Sequence, residues 1–148
     1  MTNKEVTLGI DIGGTNTKLG FVNRLGFCLS EISIPTDSEK PFSDYTERIL
    51  VAIEDLKSHI NHEVDILAAG IGAPNGNYYT GYIEEPPNLK WGRTIPIVET
   101  FGKKLGVPVF LTNDANAAAL GEMLYGVAKG MSNFVVITLG TGLGRGIV

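Results

Sequence analysis

The sequence has 148 residues, the length of one ordinary domain, and its apolar fraction of 43% is enough for a hydrophobic core. Its formal net charge is −4 and it has no block of lysine or arginine, which argues against nucleic acid and anionic membranes as partners. A single cysteine excludes an intramolecular disulfide, no apolar run reaches transmembrane length, and the N-terminus lacks signal-peptide features. These observations predict a cytoplasmic protein.

The predicted elements begin with three strands. Residues 6–10 are a short apolar run, residues 18–22 follow a glycine-rich turn, and residues 27–34 alternate apolar with polar side chains. Tight turns between consecutive strands predict an antiparallel meander. Apolar residues at helical spacing then predict a helix over 43–60, with Ser43 as its cap.

Strands and helices alternate in the rest of the chain. Residues 66–73 form a continuous apolar run that predicts a buried strand, and residues 75–92 are so rich in Gly, Pro and Asn that they predict a long loop. The remaining predicted elements are a helix over 95–105, a strand over 108–112, a helix over 114–125 and strands at 134–139 and 145–148.

The order βββαβαβα, followed by ββ, predicts an α/β fold with a mixed sheet covered by helices on both faces. The last strand pair has no further sequence of its own to pack against. We therefore expect residues 1–130 to form one domain and residues 131–148 to be the first strands of a truncated second domain. A short likeness between residues 10–22 and 137–148 supports this division, with a glycine-driven coincidence as the alternative.

The turn between the first two strands reads DIGGTNTK. It is neither a Walker A loop nor a dinucleotide fingerprint, because it lacks GK[ST] and a strand follows where a helix is required. Gly13 and Gly14 leave backbone N–H groups bare, Thr15 adds a hydroxyl and Lys18 a charge, all suited to phosphate oxygens. Asp11 beside them suits Mg²⁺, held directly or through water. The alternative is a plain hairpin whose aspartate accepts local N–H groups.

Two further segments have the composition of ligand sites. Asn113 and Asp114 stand where a buried strand enters an alanine-rich helix, a usual ligand position in open α/β sheets. Asp114 could take a proton from a substrate hydroxyl, although both residues are also favoured helix caps. Near the C-terminus, Thr141, Gly142 and Gly144 repeat the small and hydroxyl residues of the first turn, again with an ordinary hairpin as the alternative.

The predicted loop over 75–92 has chemistry that suits a sugar. Pro74, Asn75 and Gly76 lead into it, and Asn88 and Trp91 lie near its end. Amides bond sugar hydroxyls and aromatic rings stack on apolar sugar faces. The alternative is a loop pinned by a buried Trp91.

Taken in order, the segments GIDIGGTNTKLGFV, GIGAPN, PNLKW, LTNDANAAALGE and LGTGLGRGIV resemble the ROK family over essentially the whole chain. That family holds bacterial glucokinases, other sugar kinases and sugar-responsive repressors. DIGGT by itself marks the wider actin-like ATPase superfamily, whereas NDANAAALGE at this distance from it is specific. The resemblance implies two ribonuclease-H-like domains with ATP in the cleft between them.

Carried over residue by residue, the resemblance implies that Asp114 is the catalytic base and that Asn113 holds sugar hydroxyls. Asn88 and the turn of Pro74, Asn75 and Gly76 would border the sugar. The residues implied for the phosphates and Mg²⁺ are Asp11, Gly13, Gly14 and Thr15 from the first domain and Gly140, Thr141, Gly142 and Gly144 from the second.

The sequence departs from the family pattern at Asn75, where glycine is usual, and at Arg145, which interrupts the second glycine turn. The Glu-x-Gly-His segment, the cysteine-rich zinc motif and the adenosine pocket would lie further on, so no structural zinc is expected in this chain. No helix-turn-helix precedes Asp11, which disfavours the repressors.

The expected activity is ATP-dependent phosphorylation of a hexose, by a fragment that is inactive alone and belongs to a homodimer when complete. The alternatives are a non-catalytic sugar- or nucleotide-binding module, such as a regulator of the same family, and an actin-like assembly protein. The segment LTNDANAAALGE disfavours the last of these.

Overall fold

The computed structural model describes residues 5–139 and 143–147. Their elements, in chain order, are β1 (Glu5–Ile12), β2 (Asn16–Val22), β3 (Cys28–Pro35), α1 (Phe42–Ser58), β4 (Asp65–Ala73), β5 (Ile83–Glu84), β6 (Thr94–Ile95), α2 (Ile97–Leu105), β7 (Val109–Asn113), α3 (Asp114–Leu124), β8 (Val135–Leu139) and β9 (Leu143–Ile147). Among the helices of these ranges, none has the length and apolar character needed to span a membrane.

The main sheet has five strands in the order β3-β2-β1-β4-β7. β1, β2 and β3 form the predicted antiparallel meander, and β4 and β7 extend the sheet parallel to β1. The predicted mixed sheet is therefore confirmed. Because β1, β4 and β7 run in the same direction, their carboxyl ends meet at one edge of the sheet.

One face of the main sheet carries the hydrophobic core. Successive strand residues point to opposite faces, so alternate residues of β1, from Val6 to Ile12, are buried on this side. The helices α1 and α2 cover this face. Their buried apolar residues in the core are Tyr45, Ile49, Ala52, Ile53, Leu56, Ile97 and Phe101.

The opposite face of the sheet is called the glycine face here, after Gly9, Gly20, Gly70 and Gly72, which lie side by side on β1, β2 and β4. α3 packs closely against one end of it, since a Cβ on Gly72 would lie 3.2 Å from the Cβ of Ala117. The rest of the glycine face borders a groove of about 890 Å³. Helices thus lie on both faces of the sheet, as expected.

Three local predictions are wrong, and prolines explain two of them. Pro41, with φ −55° and ψ 148°, occupies the N-cap position of α1, so Ser43 lies inside the helix and does not cap it. Ile95 is in a strand because the residue before a proline is biased towards extended backbone. The segment 75–92 is not a plain loop, because its β5 pairs with β6.

β8 and β9 form a separate two-stranded sheet rather than extending the main one. This small sheet packs on α3. A Cβ on Gly146 would lie 2.5 Å from the carbonyl oxygen of Ala115, so glycine is needed at that position for β9 to lie so close to the helix.

Candidate functional site

Two carboxylates meet at the edge where the parallel strands end. Asp11 closes β1 on the glycine face and pairs in register with Gly72 of β4, while Asp114 opens α3 directly after β7. A Cβ at residue 72 would lie 3.9 Å from Oδ1 of Asp11 and 3.5 Å from Cα of Asp114. The glycine therefore leaves space between the expected metal-binding residue and the expected base.

The electrostatics of Asp11 favour a bound cation. Partial burial raises the pKa of Asp11, the negative charge of Asp114 raises it further, and Lys18, its register partner on β2, lowers it. A cation would stabilise the ionised form of Asp11. The described ranges contain no group of three or more His, Cys, Asp or Glu side chains placed to bind a metal.

The turn between β1 and β2 allows a ligand to approach the backbone. A Cβ on Gly13 would lie 2.7 Å from the carbonyl oxygen of Asn16, and a Cβ on Gly14 would lie 2.9 Å from the Cβ of Asn88. Both positions therefore require glycine. The next residue, Thr15, is exposed to solvent. The prediction of a bare N–H group is wrong for Gly13, whose N–H donates to the carbonyl oxygen of Asn16 at 3.0 Å and closes the hairpin. Gly13, Gly14 and Thr15 are thus together, and Asn88 lies against them.

The start of α3 presents polar groups at the same edge. Asn113 is the N-cap, and its Oδ1 accepts the backbone N–H of Ala115 at 3.0 Å. Oδ1 of Asp114 accepts the same N–H at 2.9 Å. Asn113 is therefore the helix cap, whereas Asp114 is the first residue inside the helix. These bonds leave the Nδ2 group of Asn113 and Oδ2 of Asp114 as the donor and acceptor that could meet a substrate.

The turn formed by residues 74–76 lies against the end of β7. A Cβ on Gly76 would lie 2.5 Å from the carbonyl oxygen of Thr112, next to Asn113. Asn75 has a φ of 53°, in the left-handed region that glycine and asparagine adopt most easily, and its Nδ2 donates to the carbonyl oxygen of Glu85 at 3.0 Å. The unusual asparagine at this position therefore satisfies the same backbone requirement as glycine.

Trp91 pins the loop that carries Asn88. Its ring packs on Tyr45, with 4.4 Å between ring centroids, and on Phe42 at 5.3 Å. Its Nε1–H donates to the carbonyl oxygen of Lys40 at 3.1 Å. These contacts favour the pinning role over stacking on a sugar.

The second glycine turn is described only in part. Gly140, Thr141 and Gly142 lie outside the described residues. Gly144 lies in β9, where it pairs with Thr138, and Arg145 is exposed.

Comparison with known proteins identifies the family. The sequence profile of the ROK family matches residues 7–148. The chain belongs to the ROK family. A glucokinase from Halalkalibacterium halodurans is 37% identical over 143 residues, which are 95% of this ROK chain and 43% of that relative. A putative xylose repressor from Caldicellulosiruptor sp. is 31% identical over 150 residues, 99% of this chain and 37% of that protein.

A solved structure confirms the fold of this ROK chain. The ROK family glucokinase from Streptomyces griseus, in complex with glucose and AMPPNP, aligns with a TM-score of 0.84 at 34% identity. The alignment covers 97% of this chain and 44% of that one. The ribonuclease-H-like fold of the actin-like ATPases is therefore established. The ROK chain spans less than half the length of these relatives.

Three hydroxyl groups of this ROK chain, beneath the turn between β1 and β2, were not predicted from the sequence. Thr17, Thr36 and Tyr45 are completely buried and bonded to one another. One signal was available: Thr17 alternates with the apolar Leu19 and Phe21 along β2, which places its side chain in the core. Because a buried hydroxyl needs a hydrogen-bonding partner, the predicted burial of Thr17 implied at least one polar partner in the core.

Proposed function

We propose that this ROK chain is the ATP- and sugar-contacting part of a cytoplasmic kinase that transfers the γ-phosphoryl group of ATP to the primary hydroxyl of a hexose. The observation that carries the proposal is the approach of Asp11 and Asp114 to Gly72 from its two sides, beside the turn of Gly13 and Gly14. A proton acceptor, a metal-binding carboxylate and a phosphate cradle then share one sheet edge. Similarity to glucokinases supports this assignment.

In this proposal the sugar lies beside the start of α3. The Nδ2 group of Asn113, which is not occupied by capping, donates to a sugar hydroxyl. The turn of residues 74–76 and the side chain of Asn88 border the ring on the other sides. Because Asn88 also packs on Gly14, the sugar and the phosphates are held next to each other.

The proposed reaction needs one proton acceptor and a neutralised phosphate. Oδ2 of Asp114 accepts the hydroxyl proton while the sugar oxygen forms its bond to the γ-phosphorus. The bond from that phosphorus to the β–γ bridging oxygen breaks, and ADP leaves with the electron pair. Mg²⁺ bound with ATP would neutralise phosphate charge, with Asp11 as its protein ligand directly or through water. The backbone N–H groups of Gly14 and Thr15 and the charge of Lys18 face the phosphate oxygens, whereas the N–H of Gly13 donates to the carbonyl oxygen of Asn16 within the turn.

We also propose that residues 1–130 are the first domain of a longer protein and that residues 131–148 open the second. The separation of β8 and β9 from the main sheet supports this division. The turn at Gly140, Thr141, Gly142 and Gly144 would then meet the phosphates from the opposite side. The complete protein would be a homodimer.

The test of the proposed base is Asp114→Asn in the complete protein. We expect turnover, measured as ADP release, to fall by about 10²- to 10⁴-fold, because the amide cannot accept the proton. Sugar affinity, measured by calorimetry, should stay within about threefold, since ground-state contacts remain. Asp55→Asn on the exposed side of α1 is the matched control. Turnover by Asp114→Asn at the wild-type rate would contradict the assignment.

The similarity to a xylose repressor supports a second candidate, a sugar-binding regulator without catalysis. A panel of hexoses with ATP and Mg²⁺ separates the two. Calorimetric binding of a hexose without ADP release from the complete wild-type protein would favour the regulator, whereas ADP release that depends on one hexose would favour the kinase and identify its substrate.

A further inference from the structure

Three buried hydroxyl groups form a chain inside the domain, called the hydroxyl chain here. The Oγ1 atoms of Thr17 and Thr36 are 3.0 Å apart, and Oγ1 of Thr17 is 3.0 Å from the hydroxyl oxygen of Tyr45. All three residues have 0% exposure. Thr17 lies in β2, Thr36 directly follows β3 and Tyr45 lies in α1. The hydroxyl chain therefore connects one helix to two strands.

The hydroxyl chain ends on the turn between β1 and β2, residues 13–15, which is called the phosphate turn from here on. Oγ1 of Thr36 donates to the carbonyl oxygen of Gly13 at 2.7 Å, and the backbone N–H of Thr36 donates to the carbonyl oxygen of Thr15 at 2.8 Å. Thr36 therefore holds the turn from below at two carbonyl groups, one on each side of Gly14.

The direction of the hydroxyl chain follows from counting protons. A carbonyl oxygen can only accept a hydrogen bond, so Thr36 must donate its one hydroxyl proton to the carbonyl oxygen of Gly13. Thr36 then accepts from Thr17, and Thr17 in turn accepts from Tyr45. Every hydroxyl proton is used, and all of them point towards the turn. Burial also raises the pKa of Tyr45, so its phenol stays a proton donor at neutral pH.

A hydroxyl group buried in an apolar core costs free energy unless it is hydrogen-bonded. Valine in place of the two threonines and phenylalanine in place of the tyrosine would avoid this cost. The hydrogen bonds of the three hydroxyl groups lead to the backbone of the phosphate turn. We propose that the hydroxyl chain fixes the geometry of the turn for phosphate, so that Thr36, Thr17 and Tyr45 are positioning residues for the nucleotide. This inference rests on the proposed nucleotide binding at that turn.

Tyr45 also connects the hydroxyl chain to the loop on the sugar side. Its ring packs on Trp91, 4.4 Å between centroids, and the same loop carries Asn88 against Gly14. The loop and the phosphate turn are thus both fixed relative to one tyrosine.

The test compares Thr36→Val with Thr36→Ser in the complete protein. Valine keeps the shape of threonine and removes the hydroxyl, whereas serine keeps the hydroxyl. We expect Thr36→Val to raise the calorimetric Kd for Mg²⁺–AMPPNP, and the KM for ATP, about five- to tenfold, the usual effect of one lost hydrogen bond. Thr36→Ser should lie within about twofold of the wild type. Sugar affinity without nucleotide should be unchanged in both.

Tyr45→Phe extends the test to the far end of the chain, and the exposed Tyr125→Phe is its matched control. We expect Tyr45→Phe to weaken AMPPNP binding in the same direction but about two- to fivefold, because Thr17 can still donate to Thr36. Hydrogen exchange of the amides at residues 13–16 should be faster in Thr36→Val and Tyr45→Phe than in the wild type, and unchanged in Tyr125→Phe. Urea unfolding of each variant gives its folded fraction, by which the AMPPNP affinity and the hydrogen-exchange rates are corrected.

The outcomes separate this inference from the proposed function. Wild-type AMPPNP affinity and turn exchange in Thr36→Val would overturn the positioning role, as would an equal loss in Thr36→Ser. A wild type that binds AMPPNP but transfers no phosphoryl group overturns the kinase alone, and the Thr36 pair still decides the positioning role from binding. A wild type with no affinity for AMPPNP overturns both.

Discussion

At the scale of single residues, the site depends on two carboxylates held near each other with only a glycine between them. The raised pKa of Asp11 means that its ionised form is less stable in the folded chain than in the unfolded one. The two carboxylates therefore favour a bound cation, and without one the ionised Asp11 lowers the stability of the folded chain. Such a trade between stability and function is common at active sites.

Asp11→Asn removes that cost. We expect its free energy of unfolding, measured in urea without nucleotide or metal, to exceed that of the wild type at pH 7. The folded pKa lies above the ordinary value of 3.8, so the wild type recovers this stability as the pH falls through the folded pKa. The difference should therefore shrink on acidification and vanish below about pH 3.8. A less stable Asp11→Asn at pH 7 would contradict this account.

Asn75 offers a second prediction about a single residue. With its φ at 53°, Asn75→Ala should lower the free energy of unfolding by about 1–2 kcal/mol, the cost of left-handed backbone for a residue with a plain side chain. Asn75→Gly should lose less, because glycine adopts this backbone without strain and gives up only the hydrogen bond to Glu85. Equal stability of the alanine variant and the wild type in urea unfolding would rule out this explanation.

At the scale of elements, the glycine face gives a matched pair of substitutions on β4. A Cβ at Gly70 would meet nothing within 4 Å, so Gly70→Ala should raise the free energy of unfolding by about 0.5–1 kcal/mol through the unfolded state. Gly72→Ala should give no such gain, since its Cβ would press on the Cβ of Ala117 in α3 at 3.2 Å. Urea unfolding of both variants checks this, and equal gains would contradict the packing described for α3.

The element order could be predicted because every long element has either an apolar run or a clear period. β5 and β6 could not, since each has two residues and two residues have no period. The approach of Asp11 to Asp114 follows from parallel strands ending at one edge. The contact of Asn88 with Gly14 and the hydroxyl chain depend on the path of loops and on distances between elements, which sequence patterns do not encode.

At the scale of the whole molecule, the chain covers 43% of a glucokinase relative. We expect the 148-residue chain to release no ADP with ATP, Mg²⁺ and any hexose, and the complete protein to do so with at least one. The reason is that the second glycine turn, which we propose meets the phosphates, needs the rest of its domain to be held in place. Turnover by the 148-residue chain alone would refute the proposed division of the site.

The pairing of β7 beside β4 also has a consequence for folding. Asp11 and Asp114 are far apart in the sequence, and they approach each other through the non-local pairings of β1 with β4 and of β4 with β7. Non-local contacts slow folding, because long segments must be ordered before they form. A slip of β7 by one residue would exchange its two faces and move Asp114 away from Gly72. The approach of Asp11 to Asp114 therefore depends on correct strand register, and a misregistered chain would keep its helices and strands while losing the proposed site.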